Sequence, residues 1–418
     1  MQRFDFTTVY TRQLEQSVLS CGTETKYVLP YFGIDKNIRD YIIQNYSLKE
    51  LLKEEKKSHD AAIQYYIGVC RVEGIDCKSD WKKSYKWFLK SAEQGNALAQ
   101  DFVGQILLQL YCEKPKKTIN NITKVYEWFR KSAEQGASCG QRSLGMCYEW
   151  GFRKCVKRNW DEALLWFNKA ALGGDPYSQY YLGLSYSVGR CCEQDMEKAF
   201  EWLEKSAALG ERLAFRELGN CYYWGKGCQK DLSKAIEYFE KAAEQHEVAG
   251  GVLAGVCYGL RNAPGDLDKA IKWNERFLNS YEHRLVSENL AVNYYRKALR
   301  IQKGEDTGDI KKYRKKAFDI VKKYALKGYW NDCNLLGWMY EEGFVCRKSD
   351  AKAFKWYSEA AKSEYCTDGM FNLGRCCLYG IGCTKDSAKA VEWFMQSAKN
   401  NCLEAKKAFF KGLGETWE

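Results

Sequence analysis

Proline is scarce in this chain, four in 418 residues, so almost nothing forbids a helix from running on. None of the four is expected inside the main helices. No apolar run reaches the roughly 18 residues that a membrane-crossing helix needs. The first twenty residues carry Arg3, Asp5, Arg12 and Glu15 without an apolar core, which is not a secretory signal as written. Cytoplasmic residence is the resulting expectation. Histidine is also rare, at His59, His246 and His283, and none lies beside a Ser or Cys in a nucleophile motif. Neither a phosphate-binding P-loop nor a Gly-x-Gly-x-x-Gly turn after a strand is present; Gly225-Lys226-Gly227 reads as a helix–helix turn. No catalytic residue, cofactor or metal is therefore expected, and the chain is read as a non-enzyme. Hydrophobic residues make up 45% and aromatics 15%, enough to build a core and to exclude wholesale disorder.

Charge is present but unevenly placed. The net formal charge is +11. Residues 1–60 hold nine basic and nine acidic side chains, whereas residues 296–327 hold twelve basic against four acidic. Most of the excess belongs to one stretch.

What fills the chain is a unit of about 36 residues. An apolar-Gly step recurs at Ile67-Gly68, Val103-Gly104, Leu144-Gly145, Leu182-Gly183, Leu218-Gly219, Ala254-Gly255, Leu336-Gly337 and Leu373-Gly374, with Leu290-Ala291 as a degenerate ninth copy. In residues 211–246 a first helix runs over about Leu213–Tyr223. Gly219 within it costs about 1 kcal/mol against Ala, a sign that a partner helix approaches closely. Gly225 and Gly227 turn the chain, and Asp231 caps a second helix, as Asp80, Asn159, Asp195, Asp266 and Asp386 do elsewhere. That helix is apolar on one face at Ala235, Tyr238, Phe239, Ala242 and Ala243. The aromatic pair recurs as Trp87-Phe88, Trp128-Phe129, Trp166-Phe167, Trp202-Leu203, Trp356-Tyr357 and Trp393-Phe394, with Ala92, Ala133, Ala171, Ala207, Ala361 and Ala398 five positions after each Trp. Gly95, Gly136, Gly174 and Gly328 end helices in the left-handed conformation, a position that His246 takes in its own copy.

Leu218-Gly219, Tyr222, Gly225, Gly227, Asp231, Lys234-Ala235 and Lys241-Ala242-Ala243 together resemble the Sel-one-like repeat (SLR) family, relatives of the tetratricopeptide repeats. The resemblance covers about four-fifths of the chain. It implies an all-α, right-handed α-α superhelix (solenoid) of about nine two-helix repeats with a concave binding face, and a role as adaptor or scaffold. The expected organisation is an N-terminal non-repeat helical cap over 1–60, a solenoid over 61–401 and a C-terminal capping helix and tail over 402–418. In the cap, Tyr41, Ile42, Tyr46, Leu48, Leu51 and Leu52 suggest one or two helices and Tyr27–Gly33 a turn; Leu403–Leu413 suggests the closing helix. Positions 256–330 drift from the pattern. Asn274 follows Trp273 where an aromatic is due, Ile320 replaces the Trp, and longer helices with a loop at Gly304–Gly308 are expected there.

Nineteen cysteines fall below the density of a disulfide scaffold. Cys70, Cys147, Cys221, Cys257 and Cys376 sit two residues after the Gly; Cys77, Cys192, Cys228, Cys346 and Cys383 lie seven further on. The favoured reading is a small buried apolar residue. A local disulfide such as Cys221–Cys228 stays open, and the spacings do not match zinc knuckles.

The expected function is a protein–protein interaction scaffold that binds a peptide or domain. Arg142, Trp150, Arg216, Tyr223 and Trp224 are candidate anchors, since they lie near first-helix ends outside the repeat's core positions. The basic run Lys311, Lys312, Arg314, Lys315 and Lys316 is a candidate site for an acidic surface. An immunity-type protein masking an enzyme or toxin is one alternative. Nucleic-acid binding through 296–327 is another, disfavoured because the repeats carry no regular polar code. No membrane partner is expected.

Overall fold

The computed structural model describes residues 36–113, 121–151, 156–261, 263–278, 283–345 and 347–399. Among the described residues there are twenty helices and no strand, so the chain is all-α as the repeat predicts. Most first helices pack chiefly on the second helix of their own copy, as Ala97–Glu113 does on Asn121–Glu134 and Thr367–Tyr379 on Ser387–Lys399, whereas Val248–Arg261 packs as closely on the preceding Leu232–Glu244 as on Asp266–Phe277. The helices gather into two compact bodies, one ending at Asp231 and the other beginning at Leu232.

The recurrent glycine has a direct physical cause. A methyl group at Gly68 would lie 2.7 Å from the ring of Phe88, one at Gly104 2.5 Å from Phe129, and one at Gly337 2.7 Å from Tyr357. The second residue of the Trp-aromatic pair thus rests on bare backbone of the first helix. Phe88, Phe167 and Tyr357 are wholly buried, each burial contributing about 2–3 kcal/mol. A hydroxyl four residues after the Trp adds a tie: Ser91, Ser132, Ser206 and Ser397 donate to the carbonyls of Ala61, Ala97, Pro176 and Thr367 at 2.6–2.7 Å.

Helix ends follow from local chemistry. Asp80, Asn159 and Asp195 cap their helices by accepting from backbone N–H groups. Asp266 differs from its expected capping place: Gly265 is the cap, at φ 81, and Asp266 is the first helical residue. Its carboxylate turns back to Arg261 at 2.7 Å and to the Ala263 N–H at 2.9 Å. The expectation for proline is corrected too. Pro176 opens the helix Pro176–Val188, where its missing N–H costs nothing.

The turn between the helices presses on the preceding copy. At Gly227 (φ 73) a side chain would meet the Met196 carbonyl at 2.1 Å, and at Gly382 (φ 70) the Asp350 carbonyl at the same distance. Asp76 occupies this place at φ 56 and makes use of it, its carboxylate accepting from the Leu48 N–H at 3.1 Å.

Among the described residues no disulfide joins the cysteines. Cys70, Cys147, Cys257 and Cys376 are buried, and burial pushes the Cys70 thiol up to about 11 and that of Cys376 up to about 12. The later thiols act as weak donors: Cys77 donates to the Cys70 carbonyl at 3.6 Å and Cys383 to that of Cys376 at 3.4 Å.

Before the repeats lie the helices Lys36–Asn45 and Leu48–Ser58, with Ile42, Leu48 and Leu51 buried in the same core as Phe88. Tyr27–Gly33 and Leu403–Leu413 fall outside the described residues. The drifting stretch forms His283–Gln302 and Ile310–Ala325, longer helices around the expected loop. Asn274 takes the aromatic's place against Gly255. It is wholly buried and both atoms of its amide lack a hydrogen-bond partner, as do those of buried Asn289.

Two stability outcomes are expected in urea unfolding. Gly68→Ala should lower the midpoint, because overpacking against Phe88 costs about 1–3 kcal/mol and outweighs the helix-propensity gain of about 1 kcal/mol. Asn274→Leu, which imitates Leu203, should raise stability by about 1–3 kcal/mol by removing an unsatisfied buried amide; a lower midpoint would show that the amide is satisfied.

Candidate partner-binding surfaces

The anchor residues lie in the body ending at Asp231. Arg142, on the helix Ser138–Trp150, is not an open anchor. Its Nη1 meets Asp175 Oδ1 at 2.7 Å with the two side chains 16% and 6% exposed. Burial works against its charge, but Asp175 and Asp101 hold its pKa above the usual value. Asp101 is itself pushed up by burial.

Arg216 and Tyr223 are buried on the helix Arg212–Trp224, which corrects the expectation that they stay clear of packed positions. Arg216 sends two N–H groups to one oxygen of Glu217, at 3.0 and 2.8 Å. Tyr223 meets the half-buried Trp224 edge-on at 4.8 Å. Trp150 is half-buried beside Tyr148 and Tyr177. Helix-end position alone does not reveal burial.

Next to Trp150 lies a cluster that the sequence reading missed. Arg158 precedes the cap Asn159 of the helix Trp160–Leu172 and donates through Nε to the Glu149 carbonyl at 2.7 Å. Its guanidinium carbon lies 4.2 Å from the centre of the Trp160 ring, and that of Arg190, from the following turn, lies 4.5 Å from it. Both arginines are exposed. Burial raises the Glu149 carboxyl to about 7, although Arg190 and Arg158 pull it down. The aromatic and basic residues crowded into 150–160 were the one available sequence signal.

In the second body the basic run sits on the helix Ile310–Ala325, whose cap Asp309 accepts from the Lys311 and Lys312 N–H groups. The run is divided in use. Lys316 reaches Glu275 at 3.1 Å and lies over the Tyr294 ring, and Arg314 donates to Gln302 at 2.9 Å. Lys311, Lys312 and Lys315 are exposed. Lys297, also missed, is buried between Asp268 at 2.8 Å and Asp306 at 2.7 Å. Among the described residues no cluster of His, Cys, Asp and Glu comes together to hold a metal ion, and no helix is long and apolar enough to cross a membrane.

The Sel1 repeat pattern matches residues 61–96, 99–136, 140–175, 176–211, 216–246, 253–276, 284–300, 332–365 and 367–402. The chain belongs to the Sel1 repeat family. Repeats of this family generally mediate protein–protein interactions. In this Sel1 repeat protein the matches pass over residues 301–331, where the helix bearing the basic run lies. Its backbone is similar to that of a protective antigen of uropathogenic Escherichia coli strains that displays an SLR fold, with 23% identity, 97% of this chain and 91% of that one covered, and a TM-score of 0.46. A Sel1 repeat protein from Oxalobacter formigenes shares 27% identity over 57% of this chain and 96% of its own, with a TM-score of 0.49. The comparison with curated proteins yields no match.

Removing a buried ion's partner should separate structural from free charge. Asp175→Ala is expected to cost about 3–5 kcal/mol by stranding Arg142. Lys311→Ala should stay within about 0.5 kcal/mol, both read by chemical unfolding.

Proposed function

We propose that this Sel1 repeat protein is a non-catalytic, cytoplasmic scaffold that binds a peptide or a domain of another protein through its first helices and turns. One observation carries the reading. The repeat's Gly, second aromatic and Ser positions are consumed in holding helix pairs together, while the half-buried Trp150 and Trp224 stand at the ends of first helices that also carry the paired Arg142 and Arg216. Aromatic side chains with part of their surface open, flanked by arginine, are the usual carriers of binding energy at protein interfaces. In this reading the helices Lys36–Asn45 and Leu48–Ser58 close one end of the repeat core. A solvated core edge there would otherwise expose Phe88's neighbours.

Selection of the purified chain against a random peptide-display library, followed by calorimetry, tests this reading. Saturable binders should emerge and lose about tenfold or more in affinity on Trp150→Ala with Trp224→Ala, a usual loss for aromatic anchors. A library that yields no saturable binder, or binders indifferent to both tryptophans, would overturn it.

Exposed Lys311, Lys312 and Lys315 support a second surface for an anionic partner. Charge reversal at these three, with retention on nucleic acid and on an acidic protein compared side by side, separates the two kinds of partner. Unchanged retention on both would remove the surface from consideration.

A further inference from the structure

We propose that Arg158 and Arg190, held over Trp160, form a carboxylate-binding clamp for an acidic segment of a partner protein. The inference deepens the scaffold reading and rests on it.

Four observations carry it. First, both guanidiniums lie over one indole ring, at 4.2 and 4.5 Å from its centre. Two cations brought to one small ring repel each other, and the ring's negative face only partly offsets this. Such a pair is relieved by an anion. Second, among the described residues neither arginine has a carboxylate within 4 Å, the Glu149 carboxyl acting on them only from farther off, whereas Arg142, Arg216 and Arg375 each have one. Third, the Arg158 side chain and the Arg190 backbone are held from behind. Arg158 is fixed through its Nε on the Glu149 carbonyl. Arg190 follows Gly189 at φ 67, and its backbone N–H is bonded to the Ser185 carbonyl at 2.9 Å. A guanidinium fixed as that of Arg158 is loses little freedom on meeting a carboxylate, for which its fork is shaped. Fourth, both arginines are exposed, so a ligand reaches them without rearrangement.

The surroundings select the class of anion. Asp161 and Glu162 open the helix directly after Trp160, and Glu193 and Asp195 follow Arg190. These carboxylates repel a continuous phosphate backbone passing over the clamp. A peptide places one or two carboxylates locally and can avoid them. The half-buried Trp150 and Tyr177 near Glu149 offer apolar contact for the rest of such a segment.

Glu149 gives the clamp a signature. Its carboxyl, raised to about 7 by burial, is faced by Arg190, Arg158 and Tyr181 and lies near Tyr177. As pH falls through about 7 it takes up a proton and the clamp loses a nearby negative charge. The peptide's own carboxylates stay ionised down to about 4, so affinity should rise between those values.

The test uses the full chain and a fluorescently labelled peptide bearing two neighbouring glutamates in an otherwise neutral sequence, read by anisotropy. Saturable binding is expected, weakened about tenfold or more by Arg158→Gln and by Arg190→Gln, the usual worth of a charge-assisted pair. Arg→Lys at either position should restore only part of it. Glu149→Gln should tighten binding at neutral pH and flatten the rise on acidification. No binding of this peptide, binding untouched by both Gln variants, or equal competition by inorganic phosphate or a single-stranded oligonucleotide would each overturn the proposal. Selected display peptides that bind through Trp150 and Trp224 but carry no acidic residues would sink the clamp while leaving the scaffold reading intact.

Discussion

Everything in this fold depends on an aromatic ring lying on a stretch of helix that has no side chain. In most copies the glycine of the first helix and the Phe or Tyr of the following second helix fix how near the two axes come, with Leu203 in that place against Gly183. A methyl group in the gap would overlap the ring by several tenths of an ångström at Gly68, Gly104 and Gly337. Once the ring is inside, the Trp one position earlier is rotated toward the outer edge of the pair. There it takes a lysine three residues on across its face: Lys90 over Trp87 at 4.4 Å, Lys131 over Trp128 at 4.8 Å and Lys169 over Trp166 at 4.0 Å. Small residues one turn further along let the same helix reach the start of its partner, where serine hydroxyls find a carbonyl. The recurrent Gly, Trp-aromatic and Lys-Ser/Ala-Ala positions are therefore one packing solution, and none remains for recognition.

The lock also explains why the chain changes character after Gly255. Asn274 cannot fill the aromatic's volume and brings buried polarity with it, a penalty of about 1–3 kcal/mol if unrelieved. The neighbouring elements are extended and held by charge instead. His283–Gln302 runs for 20 residues, and Lys297 on it joins Asp268 to Asp306 across the loop. Further on, Tyr357 restores the ring over Gly337 and adds a hydroxyl that donates to Glu341 at 2.7 Å, itself paired with Arg375. Where a polar residue replaces the central contact, other pairings take over.

How much of this was legible in the sequence follows from the range of each interaction. Helix pairing, the glycine's purpose, most caps and the left-handed residues Gly95 and His246 (φ 96 and 62) depend on near neighbours in the chain, and the repeated pattern exposed them. Asp266 was misplaced as a cap because an arginine five residues before it competes for the carboxylate. Arg142 looked free because a single copy does not show what the following copy lays over it; Asp175 is 33 residues beyond Arg142. The serine ties were hidden among alanines of similar size. Arg158 and Arg190 belong to different copies, and only stacking of the turns puts both over Trp160.

That last point bears on where specificity can arise in such an array. A residue inside the helix pair is constrained by the ring and its glycine, so variation there is punished by about 1–3 kcal/mol or more. A turn is constrained at few points, such as the left-handed position that Gly227 and Asp76 share, and its other side chains are free to differ. Stacking brings consecutive turns side by side, so two unrelated sequence positions come to share one surface. Recognition built this way needs no change to the core. One exposed residue in each of two neighbouring turns suffices, and the core that holds them supplies the rigidity that makes their geometry selective.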